Sequence, residues 1–467
     1  MAADDDVLPS HKVNVLAPGQ TPAIGLAVKR SSQRLSPCRL IIYFSTCLLI
    51  LSALHKPVVQ CYTRVSDHVC KKTMTVEQRA RRILAQNPLI DGHVDFPILL
   101  RALYHNQIDN KEWRQAFENG TTPGQVDLLR LRTGQSGGAF WSVFAPCPAK
   151  ADDFSDANLA PSVQFTLDQI DVMDRVMAAY PRHFASRINS HCAKGAFKSG
   201  KFISPLGVEG LHQIGNSAAN LRRFHELGVR YATLTHNCHN KFADAALLEQ
   251  PLRKAEPRWN GVSALGRKLI REMNRIGMIV DLSHVSEDTM FDVLGGRDDW
   301  SGSEAPIIFS HSSAYSICPH PRNVKDDVLK LVKKRNSVVM VNISPDFISC
   351  VDVGNKNGLP EYDPANATLD RVVEHILHIG NLIGFEHVGI GTDFDGIDKL
   401  PLGFKDVTDY PDLIAALLRA GVSDRDAANI AGGNVLRVWH EVDAVSARMK
   451  VDNVPAMEDD LPLWAAT

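Results

Sequence analysis

The sequence predicts an α/β protein built as a (β/α)₈ barrel, and three observations carry that prediction. From Met74 onward, eight apolar strand-like runs recur: PLIDGHVD, GGAFWSVF, ISPLGVEG, VRYATLTH, GMIVDLSH, APIIFSHS, SVVMVNIS and HVGIGTDFD. Between them lie amphipathic stretches such as PSVQFTLDQIDVMDRVMAAY, SAANLRRFHELG, GVSALGRKLIREMNRIG, NVKDDVLKLVKKR and TLDRVVEHILHIGNLIG, whose apolar residues fall at helical spacing. Six of the eight runs also end on His, Glu or Asp, and the C-terminal strand ends of a barrel converge on one mouth. An open doubly wound sheet is the competing layout, but no glycine-rich phosphate loop follows the first run.

In chain order, residues 1–39 are polar, lack periodicity and read as a disordered tail. LIIYFSTCLLILSAL, from Leu40 to Leu54, carries no charge, and as a helix it spans roughly 22 Å, short of a bilayer's hydrocarbon core unless Arg39 and Lys56 snorkel. Lys29, Arg30, Arg34 and Arg39 precede it, which favours retention of the N-terminus in the cytosol and export of the chain beyond Leu54. The long lead and the lack of a clean small-x-small cleavage pattern favour an uncleaved signal-anchor over a cleaved signal peptide and secretion, with a buried helix of a soluble protein as the last alternative. Residues 55–73 read as a linker, 74–442 as the barrel and 443–467 as a C-terminal extension.

Composition narrows the partners. The 467 residues are 44% hydrophobic and 22% charged, with a net charge of −2, an ordinary globular balance with ample material for a core. No basic cluster interleaved with aromatics appears, so a nucleic-acid partner is not expected. The balance points to a small-molecule or protein partner and is compatible with a homodimer.

The strand ends carry the chemistry. In LIDGHVDFP, His93 and Asp95 lie two residues apart and so on one face of an extended strand. Taken alone, a His and an Asp at a strand end cap a turn as readily as they bind an ion, and His284 or His311 alone reads as a hydrogen-bonded structural histidine. Together, His93, Asp95, Glu209, His236, His284, His311 and Asp393 at the ends of the runs point to a metal site. Imidazole nitrogens and carboxylate oxygens suit zinc or a similar divalent ion, and paired ions can share a carboxylate. Glu209, on the third run, is the natural bridge: one ion would take His93, Asp95 and Glu209, the other Glu209, His284 and His311, with room left for a bridging hydroxide.

DGHVDFP, GVEG, RYATLTHNC, VDLSHVS, FSHSSAYSICPHPRNV and GIGTDFDG together resemble the renal or membrane dipeptidases, zinc-dependent (β/α)₈ enzymes of the metal-dependent hydrolase group, over about Met74 to Val442. The resemblance implies two zinc ions on His93, Asp95, Glu209, His284 and His311, and hydrolysis of dipeptides with a free C-terminal carboxylate. It further implies that His236 meets the substrate at the reacting centre, that Arg322 binds the substrate carboxylate and that Asp393 handles protons. It also implies disulfides pairing Cys147 with Cys238 and Cys318 with Cys350; buried free thiols are the alternative, and the sequence leaves Cys61, Cys70 and Cys192 unassigned.

Leu211, where the family often has Gly, and HNCHNKFAD after the fourth run depart from the family pattern and bear on substrate preference. The chain ends LPLWAAT without a hydrophobic tail, which assigns any membrane anchoring to Leu40–Leu54. Asn119, Asn342 and Asn366 begin N-x-S/T sequons; Asn342 ends a core strand, so Asn119 and Asn366 are the expected glycosylation sites. Two other classes stay open: another amide or ester hydrolase of the same metal group, and a non-catalytic binding protein with the same barrel. No Lys ends a run, which counts against the subgroups that bridge their metals with a carbamylated Lys.

Overall fold

Eight parallel strands ring a common axis in the computed structural model, which describes residues 74–461 except 298. They are β1 (Leu89–Val94), β2 (Ser136–Ser142), β3 (Leu206–Glu209), β4 (Val229–Thr233), β5 (Ile279–Asp281), β6 (Ile308–Phe309), β7 (Val338–Val341) and β8 (Val388–Ile390). Each pairs in parallel with the next, as at Leu89 with Ser136, Trp141 with Leu206, Tyr231 with Ile279 and Val339 with Val388. The ring closes just past the ends of β1 and β8, where Asp95 N–H donates to Phe394 O at 2.8 Å and Asp393 N–H donates to His93 O at 3.1 Å. The tail, the apolar segment Leu40–Leu54, the linker, Cys61 and Cys70 lie outside the described residues. Among the described residues no helix is long and apolar enough to cross a membrane.

The strands are nearly continuous apolar runs because helices cover one face and the barrel interior the other. Ile90, Phe140, Tyr231, Ile279, Ile308 and Met340 form one buried cluster, against which the helix Asn434–Val451 packs Val438, Trp439 and Val442. The Trp439 ring lies 5.6 Å from that of Phe140. Outside the ring, the helix Ala264–Ile276 buries Leu269, Ile270 and Met273, each worth about 1.5 to 3 kcal/mol of burial. Hydroxyl caps start these helices where the sequence changes period: Ser217 accepts from Asn220 N–H, Ser263 from Gly266 N–H and Thr368 from Arg371 N–H.

Three features differ from the sequence reading. The ISPLGVEG run is broken into Phe202–Ile203 and β3, with Pro205 between them; it has no N–H for the ladder, and its carbonyl accepts from Trp141 N–H at 3.0 Å. The boundary drawn at Val442 falls inside the helix Asn434–Val451, and beyond it Asp459 accepts from Ala218 N–H at 2.7 Å, so the C-terminal segment packs as part of the barrel body. Two hairpins, Leu247–Glu249 with Leu252–Lys254 and Cys350–Val351 with Glu361–Tyr362, rise from loops that follow β4 and β7.

Disulfides Cys147–Cys238 and Cys318–Cys350 tie loops that follow strands β2, β4, β6 and β7. They close loops of 91 and 32 residues. On the chain-entropy account each stabilises by roughly 3 to 5 kcal/mol. Cys192 is exposed and free.

Candidate metal centre

The C-terminal ends of four strands, β1, β3, β5 and β6, deliver the candidate ligands to one point. At the end of β1, the buried Asp91 carboxylate accepts from His93 N–H (3.1 Å), Thr392 N–H (2.9 Å), Thr392 Oγ1 (2.6 Å) and the Tyr410 hydroxyl (2.7 Å), locking β1 to the segment after β8. Gly92 and Gly391 face the Ser310 carbonyl from either side. A Cβ on them would lie 2.3 and 1.8 Å from that oxygen, so only glycine lets β1, β6 and β8 approach this closely. His93 Nε2 thereby comes 3.1 Å from Asp95 Oδ2 and 3.5 Å from Glu209 Oε2.

Glu209 divides its two oxygens between two clusters. Oε2 faces His93, while Oε1 lies 2.9 Å from His284 Nε2 and 3.5 Å from His311 Nε2. Burial opposes its ionisation, yet the neighbouring imidazoles, His93 foremost, outweigh burial and hold the carboxyl well below its usual range. Its backbone is fixed by the Gln213 side chain, which accepts the Glu209 N–H at 3.0 Å.

Hydrogen bonding sets the tautomers of the two later histidines. His284 Nδ1–H donates to Asn237 Oδ1 at 2.9 Å. His311 Nδ1–H donates to Ser310 Oγ at 2.8 Å, because the Ser310 hydroxyl is itself spent on Asp281 Oδ2 at 2.7 Å. Both Nε2 lone pairs therefore point inward, and they meet at 2.9 Å beside a carboxylate oxygen. Burial, with neighbouring cationic groups, pushes both imidazoles well below their ordinary values, so they stay neutral. Burial alone would lower His93 too, but Tyr231, Asp95 and Glu209 prevail and raise it. The two facing lone pairs share no proton donor between them, and Asp95 Oδ1 has no hydrogen-bond partner, so donor atoms converge here with no hydrogen between them. Nitrogen and carboxylate donors so arranged fit a divalent cation, and they fall into two groups that share Glu209: His93, Asp95 and Glu209, and Glu209, His284 and His311.

A cavity of about 290 Å³ opens over these clusters, with Phe144, Ile98, Phe347 and Ile397 among its apolar walls. Arg322 lies in the wall, 1% exposed, and none of its three guanidinium nitrogens has a hydrogen-bond partner. Burial lowers it to about 10, against the pull of Asp393, Glu209 and Asp281, which still leaves it cationic at neutral pH. His236 Nε2 is 4.0 Å from Glu209 Oε1. Asp393, held at φ 66, accepts from Asn342 Nδ2 at 3.2 Å and lies 3.9 Å from His93 Nε2; burial is the main cause of its rise to about 7. His284 also sits at φ 66, and Asp395 in the cavity wall at φ 64, so three residues of this site occupy the left-handed region that non-glycine residues rarely enter.

All eight residues singled out in the sequence thus gather at one mouth. Sequence reading missed Asp281 and Ser310, although Ser310 directly precedes His311 and Asp281 lies in the same run as His284. Ser310→Ala leaves His311 Nδ1 without an acceptor and is expected to weaken metal affinity about 10- to 100-fold. Chelator competition at constant circular dichroism measures this; an unchanged affinity would show that the relay does not orient His311.

The barrel and its donor set define a metal-dependent hydrolase. The chain belongs to the membrane dipeptidase family, peptidase family M19, whose model matches residues 77–453. It is 47% identical over 370 residues to an uncharacterized dipeptidase of Schizosaccharomyces pombe, covering 78% of this chain and 83% of that one. It is 43% identical over 376 residues to dipeptidase tcpJ of Claviceps purpurea, covering 80% and 81%. Among solved structures, a metallopeptidase of Rhodobacter sphaeroides liganded with a phosphinate mimic of the dipeptide L-Ala-D-Ala shares the fold, with a TM-score of 0.63 and 23% identity over 76% of this chain and 99% of that one. The protein is accordingly a peptidase of the metallo-dipeptidase class, a class that works with a divalent metal.

Proposed function

We propose that the protein is a zinc dipeptidase that holds two ions through a shared Glu209 and cleaves dipeptides bearing a free C-terminal carboxylate. The observation that carries this reading is Arg322, a buried guanidinium with no hydrogen-bond partner in the wall of the cavity that Asp95, Glu209 and His284 also line. A buried guanidinium without hydrogen-bond partners costs stability, and a ligand carboxylate that pairs with its planar fork removes that cost. The ligand-bound Rhodobacter structure, by its dipeptide mimic, points to the same substrate class.

The chain's own groups then have distinct tasks. Arg322 grips the carboxylate and sets the register of the peptide, while the apolar walls exclude water. His236 Nε2 faces the reacting carbonyl, where a hydrogen bond stabilises charge developing on oxygen. Asp393 moves a proton to the departing amine. Two divalent cations, when bound, polarise the carbonyl and acidify water.

The reading places the catalytic part outside the cytosol, anchored through Leu40–Leu54 or secreted. Two disulfides suit an oxidising compartment. Asn119 and Asn366 are exposed and suit glycosylation, whereas Asn342 is fully buried.

Elemental analysis of the purified protein, combined with a panel of free dipeptides, tests the function. Two zinc ions per chain are expected, and a chelator should abolish turnover that added zinc restores. Turnover that survives metal removal, or zinc-loaded protein that hydrolyses esters but no dipeptide, would overturn the reading.

A further inference from the structure

The geometry points to Glu249 as the positioning residue that decides which face of the His236 ring meets the substrate, an inference that rests on the role of His236 proposed above. Glu249 ends the first strand of the hairpin Leu247–Glu249/Leu252–Lys254, opposite Leu252. That hairpin is pinned to the site: Ala246 N–H donates to the His284 carbonyl at 2.7 Å, Ala255 N–H closes back on Ala246 O at 2.9 Å, and Lys254 N–H donates to Asn357 O at 2.8 Å. The chain after β4 thus returns over the mouth and presents a carboxylate behind the imidazole.

Glu249 Oε1 lies 3.2 Å from His236 Nδ1. The same oxygen accepts from Asn237 Nδ2 at 3.4 Å, and Asn237 Oδ1 accepts from His284 Nδ1 at 2.9 Å, so one short chain of contacts joins His236, Glu249, Asn237 and a candidate metal ligand. Packing alone cannot choose the ring's face. Phe144 meets the ring edge-on with centroids 5.0 Å apart, and a half-turn about the Cβ–Cγ bond exchanges ring nitrogens for carbons of nearly equal size. The other neighbour of Nδ1, the disulfide sulfur of Cys147 at 3.7 Å, is a weak acceptor. The Glu249 carboxylate is therefore the group that holds Nδ1–H outward and leaves Nε2 on the cavity side. Glu249 itself does not line the cavity, so its part is to orient His236.

A double-mutant cycle on the zinc-loaded full chain tests this, using a free dipeptide that the wild type hydrolyses. Glu249→Ala is expected to lower kcat about 10- to 100-fold with KM and metal content held within about twofold. Glu249→Gln, whose amide oxygen still accepts from Nδ1–H, should retain most of the rate. Once His236 is replaced by Ala, removing Glu249 as well should cost nothing more, because no ring remains to orient. Additive losses in the double variant, or no loss in Glu249→Ala, would overturn the inference. A readout independent of turnover is ¹⁵N NMR of histidine-labelled, zinc-loaded protein, with the His236 signals identified by their loss in His236→Ala. They should report a single Nδ1–H form in the wild type and in Glu249→Gln and a changed or mixed form in Glu249→Ala. An unchanged His236 spectrum in Glu249→Ala overturns the orientation claim, whereas a wild type inert toward every dipeptide overturns the proposed function and leaves the NMR result to decide this one.

Discussion

Glu209→Gln should abolish dipeptide hydrolysis and empty both metal positions while the barrel stays folded. The substitution is nearly isosteric, but an amide offers one acceptor oxygen and one NH₂ donor where the carboxylate offers two acceptors. Because Oε2 faces His93 and Oε1 faces His284 and His311, whichever way the amide turns it points hydrogens at one of the two clusters. Loss of a shared ligand is expected to exceed the tenfold to hundredfold cost of an outer partner, and we expect a fall of more than about a thousandfold in kcat/KM, roughly 4 kcal/mol in transition-state stabilisation. Elemental analysis and steady-state kinetics measure the effect, with thermal unfolding as the control. An active Glu209→Gln protein retaining two metals per chain would refute the shared-carboxylate arrangement.

Arg322→Ala should lower kcat/KM for a free dipeptide by about one to two decades, since a charge-assisted pair contributes roughly 1.5 to 3 kcal/mol. Metal content should not change. Arg322→Lys should recover only part of the loss, because a point charge cannot reproduce a planar fork. The matching dipeptide amide is the control: wild type should handle it poorly, and the substitution should cost it little. Equal slowing of acid and amide would mean that Arg322 does not read the carboxylate. The buried guanidinium has no hydrogen-bond partner in the free protein, so its removal should leave the unfolding temperature unchanged or raise it. That is the opposite of what truncating a buried, paired arginine does.

The legible parts of this chain were those written in local periodicity. The eight runs and the five amphipathic stretches between them reappear as barrel strands and helices because short apolar runs and helical spacing are properties of neighbouring residues. His93 with Asp95, Glu209, His284 and His311 could be singled out because a barrel turns the ends of its strands into one place. What escaped notice depended on residues distant in sequence. Asp281 reads as one more polar residue until Ser310 and His311 are set beside it in space, and Glu249 lies in a hairpin tied by hydrogen bonds at its ends to Asn357 and His284. The break at Pro205 and the helix running through Val442 show the ordinary limit of reading boundaries from pattern. The helix Val76–Gln86 went unread, although Thr75 and Gln78 supply a capping box at its start.

The seam between β1 and β8 bears on how the protein is made. Asp91 and Thr392, whose side chains lock the two ends together, are separated by 301 positions. At roughly 5 to 20 residues per second of synthesis, the first strand emerges about 15 to 60 s before the segment that completes the ring beside it. For that interval the apolar β1 has no eighth neighbour, and the mouth cannot assemble from any N-terminal fragment. The mouth is completed in a late step, when nearly the whole barrel sequence has been synthesised.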